Sequence, residues 1–166
     1  AHHDVPRTHR PRPRHATGNS DVAHALGLKG PTLLHSEPHL LALYALLVAI
    51  TMVVQVGAAA LTVGLPYLSS ARDAQKPLGT VPERLRRTVD NSVTALALVA
   101  PAVLLVEIGG VGIPQTVLAM QVFVLARIAF AVLYPLGIPY ACTAVWATGF
   151  LATLFLYLIA LTAPLR

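Results

Sequence analysis

Four apolar runs, at about 40–68, 88–108, 113–134 and 138–164, occupy most of this chain and constrain its fold more than any other feature. As a helix, each is long enough to cross a bilayer core, which takes about 20 residues. The runs are apolar nearly all round, so none offers a polar face to water. Inside lipid, a helix satisfies its own backbone groups, which an open strand cannot do. Only 11% of the residues are charged and 55% are hydrophobic, against about 25% charged in a soluble domain. Too little polar chain remains to cover four such rods. The prediction is one all-α domain, residues 40–166, forming an integral membrane four-helix bundle whose first partner is the lipid bilayer. A signal peptide is a poor reading of the first run, which starts near residue 40, is too long and lacks an adjacent cleavage pattern.

Residues 1–39 form a separate zone. They hold all seven histidines and the run Pro6-Arg7-Thr8-His9-Arg10-Pro11-Arg12-Pro13-Arg14-His15. Such a basic, proline-rich tail favours extended structure and buries no core. Its histidines form no compact ligand pattern. His35 and His39 lie four apart with Pro38 between them, where proline disturbs a helix, so no metal is expected. The lone Cys142 excludes an internal disulfide.

The net charge of +5 is concentrated in two places. Arg7, Arg10, Arg12 and Arg14 lie in the tail. Arg72, Lys76, Arg84, Arg86 and Arg87 lie between the first two runs. There is no folded basic surface for nucleic acid. Short basic loops stay on the cytoplasmic side, which puts the 69–87 loop in the cytoplasm and both termini across the membrane. Pro38, Pro82 and Pro114 suit helix first turns, and Tyr134–Pro139 reads as a tight turn. The short later connections make the last three helices antiparallel neighbours. Ala60 and Gly64, four apart, permit close helix approach.

Polar residues at depth are expensive and therefore informative. Arg87, Asn91 and Thr94 are spaced by four and three, which places them on one stripe of a helix. Arg127, Phe130 and Tyr134 repeat the pattern on the third run. Two facing stripes would line a polar cleft open to an anionic ligand from the cytoplasm. Each residue also has a plain structural reading. Arg87 snorkels to the headgroups, Asn91 bonds across helices, and Tyr134 belongs to an aromatic belt. Arg127, about 10 Å below the end of its helix at 1.5 Å per residue, needs a partner such as Asp90, a carbonyl cluster or a ligand carboxylate.

The stretch Arg84-Leu85-Arg86-Arg87-Thr88-Val89-Asp90-Asn91 resembles the MAPEG family, the membrane-associated proteins of eicosanoid and glutathione metabolism. So do Ala126-Arg127-Ile128-Ala129-Phe130-Ala131-Val132-Leu133-Tyr134 and Gly137-Ile138-Pro139-Tyr140. Ser70-Ala71-Arg72-Asp73 and Trp146 resemble its bacterial branch. The resemblance covers about residues 40–164. It implies a homotrimer of four-helix subunits in a bacterial inner membrane, with glutathione held between subunits on the cytoplasmic side. Arg87 and Asn91 match the family's glutathione-binding arginine and asparagine of the second helix, and Arg127 and Tyr134 match the arginine and tyrosine of the third, the arginine position being structural in the family. The candidate glutathione-binding residues are thus Arg87, Asn91, Thr94, Arg127 and Tyr134.

The departures from the family pattern fall on the same site. Thr94 stands where the family has a glutamate, Ala97 where it has a proline, and Phe130 where a tyrosine is common. Cys142, or Ala141 in a register shifted by one, replaces the arginine expected near the start of the fourth helix. A cation beside a developing thiolate is a large part of thiol activation, and neither residue supplies one. A lone thiol with apolar neighbours in sequence, such as Cys142, is more often packing than nucleophile. The favoured expectation is a non-catalytic scaffold or accessory subunit with a degraded glutathione pocket, its tail docked on a larger membrane complex. The alternative is a glutathione-dependent transferase or peroxidase acting on a lipophilic substrate.

Overall fold

A computed structural model describes residues 34–70 and 76–163. The described residues form helices and connecting turns, in the order α1 (Glu37–Val63), α2 (Leu65–Leu68), α3 (Thr80–Gly109), α4 (Pro114–Leu136) and α5 (Pro139–Ala160). All but the one-turn α2 are long and apolar enough to cross a membrane. This is an integral membrane protein. The 1–39 tail lies outside the described residues except for its last six positions.

Helix ends differ from the hydropathy reading for local reasons. The first apolar run is not one rod. α1 stops at Val63, Gly64 takes φ +84°, and α2 follows. Pro66 has no N–H to give Thr62 and its ring would clash with that carbonyl, so an α-helix cannot run through it undisturbed. α3 begins at Thr80, with Pro82 in its first turn as the sequence suggests, two turns before the apolar run, because these turns carry Glu83, Arg84, Arg86 and Arg87, residues that hydropathy counts as loop. At the other end of the chain, α4 passes through Pro135 to Leu136 and is closed by Gly137 in the left-handed conformation, φ +79°. The tight turn therefore narrows to Gly137 and Ile138. α5 ends at Ala160, and Leu161–Ala163 form a turn.

α3 and α4 form the centre of the bundle. α1 packs along both, α5 packs along both, and α1 and α5 do not meet. The core gathers Leu40, Tyr44 and Val48 from α1, Val99 and Val103 from α3, Met120 and Phe123 from α4, and Leu156 from α5. Lipid tails are as apolar as leucine, so close packing and internal hydrogen bonds hold such helices together. Tyr44 supplies both. Its ring meets Phe123 edge-on at 4.8 Å between centroids, and its hydroxyl donates to the Ser92 carbonyl at 2.9 Å.

At the end of the bundle where α1 begins and α5 ends, Glu37 is buried at 5% exposure. It accepts a hydrogen bond from the Thr116 hydroxyl. That hydroxyl in turn accepts from the Ile113 N–H at 2.9 Å. One side-chain pair thus ties the first turn of α1 to the first turn of α4 and satisfies a free helix N–H.

Candidate functional site

The opposite end of the bundle is built differently. There the start of α3, the end of α4 and the start of α5 surround a cavity of about 500 Å³. α3 contributes Arg84, Arg87 and Asn91, spaced by three and four and hence on one helical face. Phe130 and Tyr134, four apart on α4, stack at 5.2 Å between ring centroids and form the second wall. The turn Gly137–Pro139 makes the floor of the rim, and Cys142, Thr143 and Trp146 from the first two turns of α5 complete the lining.

Charge on this lining is one-sided. Arg87 is largely exposed, with Nε 3.5 Å from Glu83 Oε1. Glu83 is bound more closely by Arg86, at 2.7 and 3.1 Å. An exposed carboxylate shared between two guanidinium groups neutralises neither fully. Arg84 has no carboxylate partner among the described residues. Its Nη1 donates to the Pro135 carbonyl at 3.3 Å, an acceptor that the end of α4 leaves open. A cation in this position also complements the negative end of the α4 dipole. The guanidinium lies directly on Gly137, where a Cβ would collide with it. Gly137 therefore serves two purposes, supplying a positive φ and leaving room for Arg84.

Arg127 sits deeper, beneath the Phe130–Tyr134 stack. It is buried at 5% exposure. Its Nη1 donates to Asn91 Oδ1 at 3.0 Å, and its guanidinium carbon lies 5.3 Å from the centre of the Phe123 ring. Its Nε is buried with no partner, alone in this among the buried side-chain polar atoms of the described residues. Gly149 of α5 gives it space, since a Cβ there would stand 3.2 Å from Nε.

The residues predicted from sequence separate into three groups. Arg87, Asn91 and Tyr134 come together on the cavity wall, joined by Phe130. Arg127 does not line the cavity but backs it through Asn91. Thr94 lies outside the lining, exposed, with its hydroxyl donated to the Asp90 carbonyl at 2.9 Å. The expected ion pair between Arg127 and Asp90 does not form. One residue is 100° of helix, and that turn points Asp90 outward to Arg86, 3.5 Å away, leaving Asn91 to face α4.

Arg84 and Gly149 were not singled out in the sequence as site residues. Arg84 could have been, because it continues the Arg87–Asn91 spacing one turn earlier. Gly149 carries no signal without knowledge of what faces it.

No curated protein and no solved structure matches the chain. The MAPEG family model matches residues 39–162, which takes in every residue of the cavity and all four spans except the first two residues of α1. The chain belongs to the MAPEG family.

Proposed function

We propose that this protein is a non-catalytic MAPEG member whose cytoplasmic cleft binds an acidic ligand of the glutathione class. One observation carries the reading. Arg84, Arg87, Asn91 and Tyr134 converge on an open cavity whose α5 wall offers Cys142, Thr143 and Trp146 rather than a cation. Binding an anion needs the first set. Activating a thiol also needs a positive donor beside the sulfur, and the α5 wall supplies none. In this reading Arg87 and Arg84 hold carboxylates at the rim, Tyr134 and the Asn91 amide bond the peptide portion, and Thr94 plays no direct part. The chain functions as a homotrimer in a bacterial inner membrane with the 69–87 segment, the first turns of α3 included, on the cytoplasmic side. The accessory role stands with it as a proposal, resting on a tail that lies mostly outside the described residues.

Trp146 is the only tryptophan and lines the cavity, so its fluorescence reports occupancy. Glutathione titrated into the detergent-solubilised protein should change that fluorescence saturably. Arg87→Ala should weaken the response by about tenfold or more. Turnover of a chlorodinitrobenzene electrophile should not exceed the uncatalysed rate. A fluorescence response that never saturates would rule out glutathione itself as the ligand of this cleft.

The transferase reading has one observation in its favour, the second guanidinium at the rim. Arg84 rests on Gly137, directly before α5, and would have to replace the missing α5 cation. Turnover that disappears in Arg84→Gln would establish that reading instead.

A further inference from the structure

We infer that the cleft selects ligands that carry carboxylates and lack an ammonium group, and that Arg127 sets this preference by fixing the Asn91 side chain. This inference rests on the binding reading above. Arginine has no acceptor atom, so a side-chain amide facing it must turn its oxygen inward. Arg127 Nη1 takes Asn91 Oδ1 at 3.0 Å. The Asn91 nitrogen is therefore left for other partners, and Asn91 contributes to the cavity as a donor.

Arg84 and Arg87 are donors without exception. Tyr134 and Thr143 carry neutral hydroxyls, and the Thr143 proton is already given to the Pro139 carbonyl at 3.3 Å. Among the described residues lining the cavity, no carboxylate is present.

The consequence for a ligand is chemical. Each carboxylate finds charged or amide donors. An ammonium finds two guanidinium groups and no counter-charge, in a cavity walled by Phe130, Ile138 and Trp146. Like charges repel, and an ammonium that enters the cavity gains no anionic partner there in exchange for the water it sheds. A polycarboxylate with an apolar flank fits every group present. Arg127 does not touch the ligand in this arrangement. It is a positioning residue, held in place by Gly149 and Phe123.

The test compares two ligands that differ in one group. Glutathione has an α-ammonium on its γ-glutamyl end, and glutaryl-cysteinyl-glycine has hydrogen there and is otherwise the same. Both are titrated into the full chain in detergent, with Trp146 fluorescence and calorimetry as readouts. The glutaryl compound should bind about tenfold or more tighter than glutathione. Equal or weaker binding of the glutaryl compound, with glutathione still bound, would overturn the inference and leave the binding reading standing. Binding of neither ligand would defeat the binding reading itself, and this inference with it. Arg127→Met frees the Asn91 amide to turn over, so the preference should shrink to about twofold or less, while Arg127→Lys, which keeps a donor, should retain most of it. A cooperatively unfolding Arg127→Met protein with the full preference would show that Arg127 does not set it.

Discussion

Arg127 and Gly149 share one space. The guanidinium of α4 lies so close to α5 that a Cβ on residue 149 would stand 3.2 Å from Nε and 3.5 Å from Cζ. The arginine is buried, so it cannot swing aside into lipid without losing its bond to Asn91. A charge at this depth persists only where partners are built around it, and a missing side chain on the neighbouring helix is part of that construction.

This contact makes a graded prediction. Gly149→Ala gains helix propensity, worth about 1 kcal/mol, and loses a similar amount to the tightened contact, so its stability should stay near wild type. Gly149→Val adds two more carbons against a buried guanidinium and should destabilise by about 2 kcal/mol. Thermal unfolding in detergent, followed by Trp146 fluorescence, checks both. Equal midpoints for Val and wild type would mean that Arg127 does not occupy this space.

A second prediction concerns Gly137 and Arg84. Gly137→Ala places a Cβ at φ +79° and into the Arg84 guanidinium at once. The backbone cost is about 1 kcal/mol. Displacing Arg84 should also weaken acidic ligands at the cavity. Arg84→Gln keeps the turn and removes the charge, so it should weaken binding with little loss of stability. If Gly137→Ala weakens binding and Arg84→Gln does not, the glycine acts through the shape of the turn alone.

Much of this organisation could be read before the structure. Four spans follow from hydropathy, because nothing but lipid accommodates so many apolar turns. The α3 stripe of Arg87 and Asn91 follows from helical periodicity, and the facing Phe130 and Tyr134 follow for the same reason. What escaped was local or relational. The break at Gly64 was masked by the apolar residues around it, although Gly64 and Pro66 together carried the signal. Asp90 and Asn91 are adjacent in sequence, and only the phase of α3 against α4 decides which one meets Arg127. Nothing in the sequence beside Glu37 points to its partner Thr116, which lies 79 residues away.

That Glu37–Thr116 pair carries a third prediction. It lies at the end of the bundle remote from the cavity, so stability and binding should separate there. Thr116→Val removes the hydroxyl that joins Glu37 to the Ile113 N–H and leaves a buried carboxylate short of a donor. The expected cost is about 1–3 kcal/mol, read as a lowered unfolding midpoint, with ligand affinity at the far end within about twofold of wild type. A binding defect larger than the stability loss explains would mean that the two ends of the bundle are coupled.

Membrane orientation gives the fourth prediction. Lys76, Arg84, Arg86 and Arg87 lie at one end of the helices, the end that holds the cavity. Arg72 is nearby in sequence. No basic residue occupies the Gly110–Ile113 connection or the Leu161–Ala163 turn at the other end. By the positive-inside rule, this excess of lysine and arginine in short loops predicts a cytoplasmic cavity end, where an acidic soluble ligand would reach it without crossing the membrane. Single cysteines introduced by Pro77→Cys and Thr162→Cys, each in a Cys142→Ala background, report the two sides. An impermeant maleimide should label Thr162→Cys in intact cells and Pro77→Cys only after the membrane is opened. The reverse pattern would face the cleft outward, away from any cytoplasmic ligand, and the distribution of basic residues would then have to be explained by headgroup binding at the outer leaflet.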